Sequence, residues 1–206
     1  MKVAIIDSGI CADHPHVGRV AGGVGVTAEG FNADTIDRLG HGTAAAGAIR
    51  EKAPDVELYA VKVFDRRLSA KIELILRALE WCIEQRMDVI NLSLGTANPA
   101  HRERFEPALS AGALIVSAAH LLPGSLPDVI GVAPEENCPR EIYRYREGVF
   151  YASPYPRSIP GVPAARNLHG TSFAVANITG FVAGTLADVP HTAIRAALIS
   201  RATKDP

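Results

Sequence analysis

Asn167-Leu-His-Gly-Thr-Ser-Phe-Ala-Val-Ala-Asn-Ile-Thr-Gly180 is the stretch on which the reading of this chain turns: a Gly-Thr-Ser step runs into small and apolar residues without a proline. It predicts a helix with Ser172 in the first turn. Backbone N–H groups there have no partner inside the helix, and the positive end of the helix dipole faces any charge developing at the serine oxygen. Gly170 lets the incoming chain turn sharply, while Ala174 and Ala176 leave room for the helix to lie close against its neighbours. Ordinary helix caps use the same residues. Ser172 therefore has to be weighed with what stands elsewhere in the chain.

Two further segments complete a constellation. Val3-Ala-Ile-Ile-Asp-Ser-Gly9 reads as a buried strand ending in an acid, and Gly40-His-Gly-Thr-Ala-Ala-Ala-Gly47 places a histidine ahead of a small-residue helix. A hydroxyl is a weak nucleophile at neutral pH and needs a base. A neutral imidazole in turn needs a partner that fixes its tautomer and stabilises its cation. Ser172, His41 and Asp7 fit those three roles.

Between these segments the pattern alternates. Lys2 to Asp7 is a strand apolar on both faces; His41 opens a helix to about Lys52, which Pro54 ends; Glu57 to Val63 is a strand. Ile72, Ile75, Leu76, Leu79, Cys82 and Ile83 give the repeat of an amphipathic helix, and Met87 to Leu94 is again a buried strand. This succession implies right-handed crossovers and a mostly parallel sheet. Further elements are a helix over 99–110, strands at Leu114 to Ala119 and Asp128 to Ala133, and a last helix from His191 to Arg201. Residues 20–36, rich in glycine, and residues 134–166 carry little regular pattern. The second of these mixes Tyr143, Tyr145, Tyr151 and Tyr155 with Arg140, Arg144, Arg146 and Arg157. The arginines alternate with glutamates, so a solvated loop around one strand is expected and no nucleic-acid partner.

The chain resembles the subtilisin-like serine proteases, or subtilases. The residues that carry the resemblance are Ile-Ile-Asp7-Ser-Gly, Gly-His41-Gly-Thr, Asn91-Leu-Ser-Leu-Gly95 and Gly-Thr-Ser172-Phe-Ala, in the order that family uses. The resemblance runs through nearly the whole chain and is weakest at residues 134–166. It implies a three-layer α/β fold, a mostly parallel sheet with helices on both faces, with residues 1–206 as a single catalytic domain. It implies peptide-bond hydrolysis by Asp7, His41 and Ser172, with Ser93, Leu94 and Gly95 pairing with an extended peptide as an added strand.

Departures from the family pattern shape the expectation. Where subtilases carry Ala-Gly-Asn, with the Asn side chain binding the oxyanion, this chain has Ala118-Ala119-His120. The oxyanion would then be held by the Ser172 backbone N–H, with His120 as a second donor if its ring turns inward. The loop after His120 is short, so Ala118, Ala119, Leu121 and Leu122 would give an altered pocket for the residue before the cleaved bond. The calcium-binding insertion usual after the histidine helix is missing, so no metal and no cofactor is expected. His14 and His16 flank Pro15 without an adjacent third ligand and do not predict a metal site either.

Composition sets outer bounds. The 206 residues are 48% hydrophobic and 21% charged with a formal net charge of -1, which gives no electrostatic argument for nucleic acid or an anionic membrane. No apolar run has membrane-spanning length. Cys11, Cys82 and Cys138 are an odd set without metal-site spacing, which suggests a reducing compartment. With no room for a signal ahead of the first strand, a cytoplasmic enzyme is expected. It would be a specialised peptide-processing protease, for instance one removing a leader from a precursor peptide, with a separately encoded partner allowed for. Two rival expectations are a catalytically impaired fold that binds peptides, and a peptide ligase or macrocyclase in which an amine resolves the acyl-enzyme.

Overall fold

The structure is a computed structural model that describes residues 1–204. Its strands are β1 (Lys2–Asp7), β2 (Val20–Thr27), β3 (Gly30–Asn32), β4 (Glu57–Lys62), β5 (Val89–Leu92), β6 (Ile115–Ala118), β7 (Ile130–Pro134), β8 (Arg144–Arg146) and β9 (Val149–Ala152). They form one sheet in the order β3-β2-β4-β1-β5-β6-β7-β9-β8, parallel from β2 to β9 with an antiparallel strand at each edge. The helices are α1 (His41–Lys52), α2 (Ile72–Glu84), α3 (Glu106–Ser110), α4 (Thr171–Leu186) and α5 (Ile194–Arg201).

The sheet has two apolar faces because its strands alternate into two cores. Val3 and Ile5 of β1, Val89 of β5 and Val116 of β6 join the core with α1, α4 and α5. Ala4 and Ile6, Ile90 and Leu92, and Ile115 point the other way, to α2 and α3. Burying Ile5 or Ile6 completely contributes about 1.5–3 kcal/mol each, enough to fix the register of β1 against a one-residue slip. The layered α/β architecture expected from the strand and helix succession is thus the one observed.

Helices α1 and α4 lie against each other across small residues. A side chain on Gly180 would meet Lys52 Cβ at 2.9 Å and the Ile49 carbonyl at 3.2 Å, and Ala174 and Ala176 are fully buried. The two helices that carry His41 and Ser172 are therefore in near-backbone contact.

Three segments differ from the sequence expectation. The glycine-rich residues 20–36 form β2 and β3. Glycine weakens a strand in isolation, but Gly23 lets the backbone pass so close to Ala60 of β4 that a Cβ would collide with its carbonyl. The 99–110 helix is a 3-10 helix to Phe105, opened by the Asn98 side chain accepting from the Ala100 N–H, and only then becomes α3. Pro107 has no N–H to continue an α-helical ladder through this point. Residues 134–166 hold two paired strands, β8 and β9, where a loop around one strand was expected. Tyr143 and Tyr145 pack on Phe150, and Arg144 and Arg146 bond Glu135. The aromatic and basic mix of this segment is therefore used internally, at the closing edge of the sheet.

Candidate active site

Chain direction across the sheet reverses at β1. From β1 the chain goes out to β2 and the edge strand β3 on one side and returns to β4 beside β1, then crosses to β5 and continues through β6 and β7 toward the other edge. Open α/β sheets offer a crevice at the carboxyl end of such a strand. Asp7 ends β1 there, with no exposed surface.

Burying a carboxylate is tolerable only with full hydrogen bonding. Asp7 Oδ1 accepts from the Ser8 N–H at 2.7 Å, and the Ser8 hydroxyl lies 3.1 Å away. His41 Nδ1 sits 2.7 Å from Oδ1 and 2.9 Å from Oδ2, which places the Nδ1 proton on the carboxylate and leaves Nε2 free to act as a base. Burial of the ring disfavours its cation, but the Asp7 hydrogen bond and charge, with the charge of Asp37, outweigh that. His41 titrates above the usual histidine value.

His41 is the first residue of α1, delivered by Gly40 in the left-handed region at φ 77°. Gly42 follows because nothing larger fits: a Cβ there would collide with the Gly9 carbonyl. Ser172 is the second residue of α4, after Gly170 at φ 147° and ψ 173°, a conformation open to glycine alone. Phe173 packs its ring 5.0 Å from the His41 ring. Ser172 Oγ donates to the Ser93 carbonyl at 3.3 Å, so in this rotamer the hydroxyl bonds strand β5's exit, not the His41 ring.

The Ser93 to Gly95 segment leaves β5 beside Ser172 and is tied to it twice. The Ser93 hydroxyl donates to the Ser172 carbonyl at 3.3 Å and accepts from Asn91 Nδ2 at 2.9 Å; Asn91 Oδ1 in turn accepts from Thr179 in α4. Asn91 and Thr179 are fully buried. Sequence reasoning assigned neither a role, though Asn91 stands in the quoted Asn-Leu-Ser-Leu-Gly run. A buried asparagine within an apolar strand was the available signal.

The residues around β6 are less convergent. Ala118 is buried and Ala119 half-buried at the strand's exit, while His120 is exposed in the following turn. Among the described residues no hydrogen bond draws the His120 side chain toward Ser172. Leu121 packs on the core under α1 and α4, and Leu122 is buried in the opposite core, so Leu122 is core filling, not a pocket wall. The short loop closes on β5's exit, because Thr96 and Leu122 exchange backbone hydrogen bonds at 3.0 and 2.9 Å. A side chain on Gly95 would collide with the Leu122 carbonyl.

Cys11 is exposed, and its N–H donates to Thr43 Oγ two residues beyond His41; it shares a cavity of about 360 Å³ with His14, His16 and Asp37. All three cysteines are free. Among the described residues no group of three or more His, Cys, Asp or Glu side chains is arranged to hold a metal ion, and no helix is long and apolar enough to cross a membrane.

The chain's relatives share this arrangement of elements. Residues 1–120 match the model of the subtilase family, Peptidase_S8. Subtilisin DY of Bacillus licheniformis is 31% identical, the match covering 92% of this chain and 78% of that protein. Subtilisin E of Bacillus subtilis (strain 168) is 32% identical over 97% of this chain, which spans 55% of that longer protein. Among solved structures, Sphericase superposes with a TM-score of 0.75 at 25% identity, covering 97% of this chain and 82% of the other. A cold adapted subtilisin-like serine proteinase gives 0.74 at 20% identity, which speaks for the fold alone. With a family model spanning more than half of it and these relatives along nearly all of it, the chain belongs to the subtilase family of serine proteases.

Proposed function

We propose that residues 1–206 form one catalytic domain, an endopeptidase in which Ser172 attacks the peptide carbonyl, His41 takes and returns the proton, and Asp7 orients His41 and stabilises its cation. The observation that carries this reading is the buried Asp7 carboxylate engaging His41 Nδ1 through both oxygens, beside a serine in the first turn of a buried helix. A turn of the Ser172 side chain away from the Ser93 carbonyl presents its hydroxyl to the base. The Ser172 N–H then holds the oxyanion. An extended substrate lies along Ser93, Leu94 and Gly95, with Ala118, Ala119 and Leu121 bordering its reacting end.

The substrate is a specific peptide segment, such as the leader of a precursor, in preference to unfolded protein at large. Two features support this: the exposed His120 leaves the oxyanion without a bonded side-chain donor, and the Thr96 to Leu122 bridge restricts the space beside Gly95. A missing donor lowers turnover about 10²–10³-fold. Such an enzyme gains its rate by aligning a substrate it binds well. Free cysteines at 11, 82 and 138 support a reducing, cytoplasmic setting.

The restricted space gives a specificity expectation. Peptides with Gly, Ala or Ser before the cleaved bond should be cut at least about a hundredfold faster, by kcat/KM, than the same peptides with Phe there. A matched fluorogenic series reads this directly, and a preference for Phe contradicts it.

The second reading, a fold that binds peptides without cleaving them, is favoured by the Ser172 rotamer and the exposed His120. A serine-directed fluorophosphonate separates the two. A mass adduct on the wild type that is absent from Ser172→Ala supports the protease; no adduct on either, with peptide binding retained, supports the binding module.

A further inference from the structure

Asp37 accepts five hydrogen bonds. Its Oδ1 takes the Ser8 hydroxyl at 2.8 Å and the N–H groups of Leu39 and Gly40 at 2.9 Å each; its Oδ2 takes the Thr43 N–H at 2.9 Å and the Thr43 hydroxyl at 2.6 Å. Three of these donors are the backbone around the start of α1, the helix whose own cap position, Gly40, has no side chain to offer. Asp37 thus does the work of a cap residue from outside the helix.

The Ser8 hydroxyl stands between this carboxylate and Asp7. It has one proton and two acceptors, at 2.8 Å in Asp37 and 3.1 Å in Asp7, and its oxygen accepts the Gly42 N–H at 2.9 Å. The shorter contact places the proton toward Asp37. Asp7 then keeps its full charge for His41, while Ser8 spans the β1 end, the Asp37 loop and the first turn of α1.

We propose that Asp37 is a positioning residue for this site, a second carboxylate that acts through Ser8 and the start of α1 to hold Asp7 against His41 and to favour positive charge on the His41 ring. The inference rests on the protease reading for its consequence in catalysis, though not for its electrostatics. Burial works against ionisation of Asp37, yet the bonds from Thr43, Leu39 and Ser8 outweigh it and keep the carboxyl below its usual range. Asp37 is therefore charged throughout the pH range in which His41 titrates.

The charged surroundings are few. Asp7 faces His41 from β1, and the uncharged Phe173 ring faces it from α4. Around Asp37, the shared cavity is lined by Cys11, His14, His16, Arg157 and Arg166, and the guanidinium of neighbouring Arg38 is engaged with Asp34 and Asp65. Asp37 is thus the second anion that acts on His41.

The test is the titration of His41 by NMR of its ring in the resting protein, together with the pH profile of kcat/KM. In Asp37→Asn the His41 titration and the acid limb of the profile should both move to lower pH, with the plateau down about tenfold from loosened geometry. Asp37→Glu should restore the limb while recovering only part of the plateau. A titration in Asp37→Asn that coincides with wild type, whatever the plateau does, overturns the proposal and leaves Asp37 a helix cap. Should Asp37→Asn not fold, Asp37→Ser removes the charge and keeps an acceptor for the Thr43 N–H, and is read in the same way. A shifted titration in a protein that neither cleaves peptides nor takes the fluorophosphonate would leave this inference standing and remove the protease reading.

Discussion

Asp7→Asn should lower kcat/KM about 10⁴-fold while the protein still folds. The loss comes from a mismatch of donors and acceptors. Asp7 is an acceptor on both oxygens: Oδ1 takes the Ser8 N–H, and both oxygens face His41 Nδ1. An asparagine has one oxygen and one NH₂ group. With its oxygen kept on the Ser8 N–H, its NH₂ stands at the Oδ2 position, 2.9 Å from Nδ1 in the wild type. That arrangement makes Nδ1 an acceptor and moves the ring proton to Nε2, the atom that must be free to take the serine proton. Turning the amide over repairs the tautomer and sets the NH₂ against the Ser8 N–H instead. Either way one buried donor is orphaned, at a cost of about 1–3 kcal/mol in stability. Steady-state kinetics on a peptide that the wild type cleaves, with thermal unfolding alongside, checks both parts. A loss below about tenfold would mean that Asp7 does not set the tautomer.

Phe173→Ala should cost about 3–5 kcal/mol of stability, a large part of the roughly 5–15 kcal/mol that holds a domain together. Phe173 is 1% exposed, follows Ser172 directly and supports the His41 ring at a 5.0 Å centroid distance. Removing it opens a cavity between β1's end, α1 and α4 that the fully buried alanines nearby are too small to fill. The catalytic base also loses one wall, so kcat per folded molecule should fall as well, about a hundredfold for a displacement near 1 Å. Phe105→Ala provides the comparison. That residue is equally buried, in the core on the other face of the sheet, and its loss should lower stability by a similar amount while leaving turnover of the folded fraction intact. Urea unfolding midpoints and active-site titration of the three proteins decide the matter; equal turnover losses in both variants would show that the effect of Phe173 is stability alone.

The central part of this architecture was legible from residue order. β1 and β5 are short apolar stretches rich in branched residues, β4 carries Leu58, Ala60 and Val61 between charged ends, and α2 repeats Ile72, Ile75, Leu76 and Leu79 on one face, so the apolar pattern alone found them. β2 was hidden because its glycines serve the neighbouring strand's backbone, a requirement visible only once β4 lies beside it. Of the paired strands β8 and β9, where one strand was expected, β8 was hidden by Arg144 and Arg146, whose charges read as solvent-facing until Glu135 is placed next to them. At the site, Asp7, His41 and Ser172 stood out because each ends or begins an element beside a glycine. Asp37, Ser8, Asn91 and Thr179 did not, since the contacts that tie them into the site, Ser8 to Asp37 and Asn91 to Thr179, span 29 and 88 residues of sequence. The oxyanion and pocket residues near β6 depend on where a short turn points, and a motif does not encode that.

The near-backbone contact of α1 with α4 has a dynamic consequence. Loops that carry catalytic groups open locally at little cost, and their active geometry comes and goes on that timescale. Here the base and the nucleophile ride on helices that approach closely at Gly180, where an added side chain would meet Lys52 and Ile49 of α1, and that both pack into the larger core. Separating them means breaking that core. Amide hydrogens of residues 174–180 will exchange only through global opening, and loss of catalytic geometry on heating will coincide with loss of the fold, with no inactive but folded state in between.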